Sequence, residues 1–130
     1  MKPEAADYLD KARTDFEDAK KIAAIGVARV AARCAYYAMF HAAEAFIVES
    51  TGKVAKTHSG VRAEFARLAK ETPAIDRSFP KLLAKAYLYK EVGDYGVGPG
   101  ADVTMADAND AVANAARFVD FIAALLVSRP

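Results

Sequence analysis

The segment Val30–Ile47 constrains this chain more than any other. Between Arg33 and Glu44 it carries no formally charged residue, only alanines, Cys34, Tyr36, Tyr37, Met39, Phe40 and His41. It is Ala-rich and free of Gly and Pro, which favours a helix. A helix apolar on nearly every face has to be surrounded by other elements. At about 100° per residue, Arg33, Tyr37, Phe40, His41 and Glu44 fall within about 100° of one another and form one stripe. A charge at each end of an otherwise buried stripe is costly unless paired or exposed. Function is expected along this stripe.

The flanking sequence supplies helices to surround it. A first helix is expected from Pro3 or Glu4 to Ala24, since Pro suits an opening helical position. Tyr8, Leu9, Ala12, Phe16, Ala19, Ile22 and Ala23 recur at three- and four-residue steps and make one apolar face. Asp7–Lys11 and Glu17–Lys21 are acid-before-base pairs on the other side. Gly26 ends this helix, and the central one follows from about Ala28 to Glu49, closed by Gly52. So short a connection predicts an antiparallel hairpin.

Lys53–Thr57 reads as a loop. Thr57 or Ser59 can cap a third helix over Ser59–Lys70, with Val61, Phe65 and Leu68 inward. A fourth helix is expected over Phe79–Asp94, carrying Leu82, Leu83, Ala86 and Leu88. The Gly96–Gly100 run stops it. Thr104 with Asp107 resembles a capping box for a fifth helix. That helix reaches about Val127 and buries Ala111, Val112, Ala115, Phe118, Val119, Ile122 and Leu125. No strand pattern competes, so the expectation is one all-α domain over the 130 residues, an up-and-down bundle of four to five helices.

Composition narrows the functional classes. A net charge of +1 gives no general basic surface for nucleic acid, although a local cleft still suits RNA. Cys34 is the single cysteine, so no internal disulfide can form, and it reads as a small buried hydrophobe. With two well-separated histidines there is no metal-ligand set, and no cofactor is expected. The Gly96–Gly100 run follows a helix rather than a strand, which excludes a phosphate-binding loop of the usual kind. Met1–Asp10 is polar and charged, and the longest uncharged apolar run, Cys34–Ala43, is far short of ~20 residues. A cytoplasmic protein without membrane association is the expectation.

Three places carry candidate site residues. His41 reads either as a core histidine bonded to a neighbour or as a catalytic group with Arg33 or Glu44 as partner. His58 lies at a helix start, in Lys56-Thr57-His58-Ser59-Gly60, and reads as a cap or, with Lys56, as an anion site. Tyr89–Gly96 places Lys90, Asp94 and Tyr95 around Gly93, where glycine permits close backbone approach. Lys90 and Asp94 are one turn apart in the less favourable order, and Asp94 faces the negative end of the helix dipole. A partner elsewhere is expected for Asp94, namely Arg33, with Tyr37 or Tyr95 hydrogen-bonded beside the pair.

Taken together, Tyr8-Leu9-x-Lys11-Ala12-Arg13-x-Asp15, the Arg33–Ala43 element, Lys56–Val61 and Asp94-Tyr95-Gly96 resemble the small single-domain bacterial and archaeal branch of the HEPN superfamily. The resemblance spans about Asp7 to Phe121. It implies a helical bundle, usually a homodimer, often encoded beside a minimal nucleotidyltransferase in toxin–antitoxin-like pairs. It also implies either metal-independent endoribonuclease activity or a non-catalytic RNA- or partner-binding role. The superfamily's ribonuclease signature is an Arg followed four to six residues later by a His. Neither His41 nor His58 has an Arg in that window, and the expected position reads Lys90-Glu-Val-Gly-Asp94-Tyr95. Lys90 lacks the planar fork of Arg, and neither Asp nor Tyr titrates near neutrality when unperturbed. The expectation is a binding module with a degenerate motif, its binding residues drawn from Arg33, Tyr37, His41, Lys56, His58 and Lys90. The alternatives are an endoribonuclease using Arg33 and His41, or Lys90 and Tyr95, and a purely structural helical dimer.

Overall fold

The computed structural model describes residues 1–128. It contains α1 (Pro3–Ala24), α2 (Ala28–Thr51), α3 (His58–Lys70), α4 (Ser78–Tyr95) and α5 (Met105–Ser128), and no strand among the described residues. The molecule is an up-and-down helical bundle. α2 is its mast: it packs against each of the other four helices, most extensively against α1. From Ala42 to Val48 every residue of α2 is buried, as a helix with no water-facing side requires. Tyr36, Met39 and Ala43 are fully buried and Phe40 nearly so.

Local signals set the helix ends. Gly26, at φ +81°, closes α1 in a Schellman arrangement, its N–H donating to Ala23 O and that of Val27 to Ile22 O. The two-helix hairpin is then tied at its open end, where the Lys2 N–H donates to Glu49 Oε1 at 2.7 Å. Thr57 caps α3 by accepting from the Gly60 N–H at 2.9 Å. The box at α5 forms in both directions: the Asp107 N–H donates to Thr104 Oγ1, and the Thr104 N–H donates to Asp107 Oδ2. On α1, Lys11 faces Asp15 at 4.0 Å and Glu17 faces Lys20 at 3.1 Å, in place of the Asp7–Lys11 and Glu17–Lys21 pairs. The lysines of both pairs are exposed, and such pairs differ little in energy, so spacing alone does not decide between them.

The apolar faces hold with three adjustments of phase. Leu88 is 62% exposed, because α4 turns that side away from α2. On α5, Leu126 rather than Leu125 is fully buried, and Val112 and Leu125 are only half-buried. Cys34 is likewise half-buried, on the flank of α2 near Asp15 and Asp18, and burial and both carboxylates push its thiol up. α5 is the one described helix long and apolar enough to cross a membrane. Its Ala115, Phe118, Val119 and Ile122 instead form the core with α2, α3 and α4 residues.

Candidate functional site

The α2 stripe meets α4 first. Gly93 lies in the last turn of α4, and a Cβ there would stand 3.1 Å from Arg29 Cβ and 3.3 Å from Val103 Cγ2. Only glycine lets that turn approach α2 so closely without a shift of its neighbours. The approach brings Asp94 beside Arg33, one turn beyond Arg29. Arg33 Nε and Nη2 donate to Asp94 Oδ1 at 2.8 and 2.7 Å, and Lys90 Nζ lies 3.3 Å from Oδ2. Burial alone would raise the Asp94 carboxyl. The hydrogen bonds from Arg33 and Lys90 outweigh it and hold the group below the usual carboxylate range. Lys90 Nζ also lies 4.0 Å from Glu91 Oε1, so the two cations face two carboxylates, and the Arg33 side chain is 36% exposed.

Tyr95 takes a different place from the one expected. Its ring lies beneath the Lys90 ammonium at 5.6 Å and is 71% exposed, so it offers a face rather than a hydrogen bond to the pair. Tyr37 sits near enough to Arg33 and Lys90 to act on both electrostatically, and no hydrogen bond joins it to Asp94 among those of the described residues.

Further along the stripe, His41 is held between two carboxylates. Its Nδ1 meets Glu44 Oε1 at 2.6 Å, and its Nε2 faces Asp15 Oδ2 at 3.5 Å. Glu44, not Arg33, is therefore the partner of His41. Asp15 Oδ2 is buried and makes no hydrogen bond, and burial raises the Asp15 carboxyl against the opposing pull of Lys11 and His41. Tyr8 of α1 stacks on His41 at 6.5 Å between centroids. No group of three or more His, Cys, Asp or Glu among the described residues could hold a metal ion.

His58 corrects the expectation of a cap or an anion site. Thr57 already occupies the capping position, and the His58 ring folds inward onto Phe40, 4.3 Å between centroids. Its Nδ1 lies 3.0 Å from the Tyr36 hydroxyl. Burial, then Lys90 and Arg62, push its pKa down, which keeps the imidazole neutral at neutral pH. Lys56 stays exposed in the preceding loop, away from this cluster's contacts. The Tyr37 ring touches both imidazoles, at 6.1 Å from His41 and 5.8 Å from His58, so one aromatic run joins them.

Sequence reasoning did not place Arg62, Tyr87 or Asp15 among the site residues, Asp15 entering only as part of the opening-helix element. Arg62 lies one turn after His58, donates to the Tyr36 hydroxyl at 3.3 Å, and stacks 3.6 Å above Tyr87 of α4. The i,i+4 spacing of His58 and Arg62 was the available signal. Asp15 stands seven residues after Tyr8 on the face of α1 turned to α2, a spacing that places both over the same stripe.

The sequence profile of the HEPN domain matches residues 5–125, nearly the whole chain. The chain belongs to the HEPN family. A UPF0332 protein of Gloeobacter violaceus is 29% identical over 119 residues, covering 92% of this chain and 93% of that one. A UPF0332 protein of Archaeoglobus fulgidus is 36% identical over 89 residues, 68% and 70% of the two chains. The crystal structure of TT1696 from Thermus thermophilus has the same fold, with a TM-score of 0.70 at 24% identity over 95% of this chain and 98% of that one. In this HEPN chain the stripe of α2 is thus lined, in order, by an Arg–Asp–Lys cluster, an aromatic run and a carboxylate-held histidine.

The buried phenol of Tyr36 gives the site a pH signature. Burial raises it to about 12, opposed by the hydrogen bond from Arg62. A raised folded value means the stability is intact below the ordinary value near 10 and is lost as pH climbs through the folded one. Chemical denaturation is expected to show a loss of about 2–3 kcal/mol across that window, at ~1.4 kcal/mol per unit. In Tyr36→Phe the alkaline fall is shallower. Parallel falls in the two proteins would assign the effect to other groups.

Proposed function

We propose that this HEPN chain is a cytoplasmic binding module of a toxin–antitoxin-like system, a homodimer that engages RNA phosphates and a minimal nucleotidyltransferase without cleaving RNA. One observation carries the reading. Nδ1 of each histidine is engaged within the chain, His41 by Glu44 and His58 by Tyr36, while the Arg33–Lys90 cluster sets two cations at the end of the stripe, one of them over an exposed aromatic ring. Cations with a ring face are the groups that hold a single strand by phosphate contact and stacking. A general base for cleavage would need a free imidazole nitrogen within reach of the attacked hydroxyl. Leu88, Val92 and Tyr95 support the dimer: they recur at i, i+4 and i+7 on the outer face of α4 and are 62%, 41% and 71% exposed.

The test is binding of a fluorescent single-stranded RNA in EDTA at two salt concentrations. Four phosphate contacts, two per protomer, predict about a 50-fold loss of affinity between roughly 50 and 200 mM salt. Arg33→Ala with Lys90→Ala is expected to remove most of that dependence, with the RNA intact throughout. The same preparation should sediment at twice 13.9 kDa at tens of micromolar protein. A monomer there removes the dimer from the proposal.

The endoribonuclease reading keeps one specific observation, the two imidazoles on either side of Tyr37. Brisk cleavage in EDTA, abolished in His41→Ala, would establish it instead. Absence of any RNA affinity, with dimerisation intact, would leave the purely structural reading.

A further inference from the structure

At the opposite end of α4 from Lys90 lies a half-open groove of about 960 Å³, between the C-terminal turn of α3 and the N-terminal turn of α4. That volume is at the upper end of the range for ligand sites. Its floor is apolar, made by Ala66 and Ala69 of α3, Ile75 of the connection and Pro80 of α4. Its rim carries Lys70, Arg77 and Lys81. All three are exposed, and none has a carboxylate within ion-pair distance among the described residues. Arg67, one turn before Lys70, shows the contrast, since it is bound by both Glu64 and Glu71.

The one acid at the rim, Asp76, is occupied by the backbone. Its carboxylate accepts from the Ser78 N–H at 2.7 Å, which holds its pKa down and serves the start of α4. Arg117 and Lys81 also act on it electrostatically. A chain with a net charge of +1 thus gathers three cations against one carboxylate around one apolar trough. None of the lining residues is aromatic. Recognition of unpaired bases relies on stacking against rings, so a nucleic-acid strand is poorly matched to this floor.

We propose that the α3–α4 groove is a docking site for an acidic, amphipathic segment of a partner protein. Aliphatic side chains of the segment lie on Ala66, Ala69, Ile75 and Pro80, and its carboxylates meet Lys70, Arg77 and Lys81. Charge complementarity sets the choice of partner, and the apolar trough sets the register along which it lies. The groove is independent of the proposed RNA contact. Lys81 and Lys90 are separated by about 13 Å along α4 at ~1.5 Å per residue.

The probe is a fluorescent peptide of roughly twelve residues that mixes Glu and Asp with Leu, beside a control in which Gln and Asn replace the acids. Binding to the full chain is read by anisotropy. The acidic peptide is expected to bind and the control not to. Combined Lys70→Glu, Arg77→Glu and Lys81→Glu substitution should weaken binding at least roughly tenfold, as charge reversal at a rim does. Arg33→Ala with Lys90→Ala should leave it unchanged. Ala66→Arg separates docking from mere attraction, because it fills the trough while adding positive charge. Loss of binding in Ala66→Arg, with a thermal midpoint near that of the wild type, supports the groove.

Tighter binding in Ala66→Arg would overturn the proposal in favour of diffuse surface electrostatics. So would an unchanged affinity in the charge-reversal variant. Single-stranded RNA that loses affinity in the charge-reversal variant, while the acidic peptide does not bind, would reassign the groove to nucleic acid.

Discussion

Phe40→Ala is expected to lower the unfolding free energy by about 3–5 kcal/mol, the range for removing a buried phenyl ring. Phe40 is 6% exposed and sits at the middle of the α2 stripe. Its ring lies 5.7 Å from Tyr36, 5.5 Å from His41 and 4.3 Å from His58. The cavity left by Ala would open beneath both imidazoles. α2 cannot collapse to fill it, because the same helix is pinned by four neighbours. For a chain of this size the thermal midpoint should fall by about 10–20 °C. An unchanged midpoint would mean that the stripe is not the core of the molecule. The loss also has a functional consequence. His58 reaches Tyr36 from a position held by stacking on Phe40, so the variant frees the imidazole that the intact site restrains.

Asp94→Asn is expected to act in opposite directions on stability and on binding. In a fully buried pair, stripping one partner costs 3–5 kcal/mol or so. Here Arg33 is 36% exposed and water takes over part of the lost interaction, so about 1–2 kcal/mol is the expected cost. The pH dependence has a definite sign. The Asp94 carboxyl is held below its ordinary value, so the pair's contribution is complete above that ordinary value and disappears as pH falls through the lower folded one. Asp94→Asn should therefore lack this part of the acid limb in denaturation curves. Under the proposed function the same change releases Arg33 and Lys90 from their counter-charge. RNA affinity should rise, since Arg33 and Lys90, the two cations of each protomer that meet phosphate, no longer share their charge with Asp94. A variant that melts like wild type, or that binds RNA less tightly, would dismiss the cluster as the phosphate contact.

The two substitutions separate what a stripe of this kind does. Phe40 tests whether the aromatic run is a structural spine. Asp94 tests whether the charged end is a regulated contact, its cations partly neutralised by an acid that a glycine brings into place.

Much of this molecule was legible in local sequence. Periodicity placed five helices, because an apolar face repeating at 3.6 residues has one way to be buried. Gly26, Gly52, Thr57 and the Thr104–Asp107 box marked helix ends, because those groups complete backbone hydrogen bonds within a few residues of themselves. The Arg33–Asp94 pair was legible too, from an acid set against its own helix dipole beside a glycine. Tertiary structure alone decided the rest. Side-chain chemistry leaves His58 free to cap a helix or to fold onto Phe40, and only the packing of α3 on α2 selects the second. Arg62 and Tyr87 belong to different helices, and their stacking at 3.6 Å exists only once α3 and α4 lie side by side. Asp15 completes the His41 site from α1 across the same kind of boundary. Periodicity reports which face of a helix is buried, whereas the residue it meets depends on the crossing of two helices, and that crossing is set by the whole core.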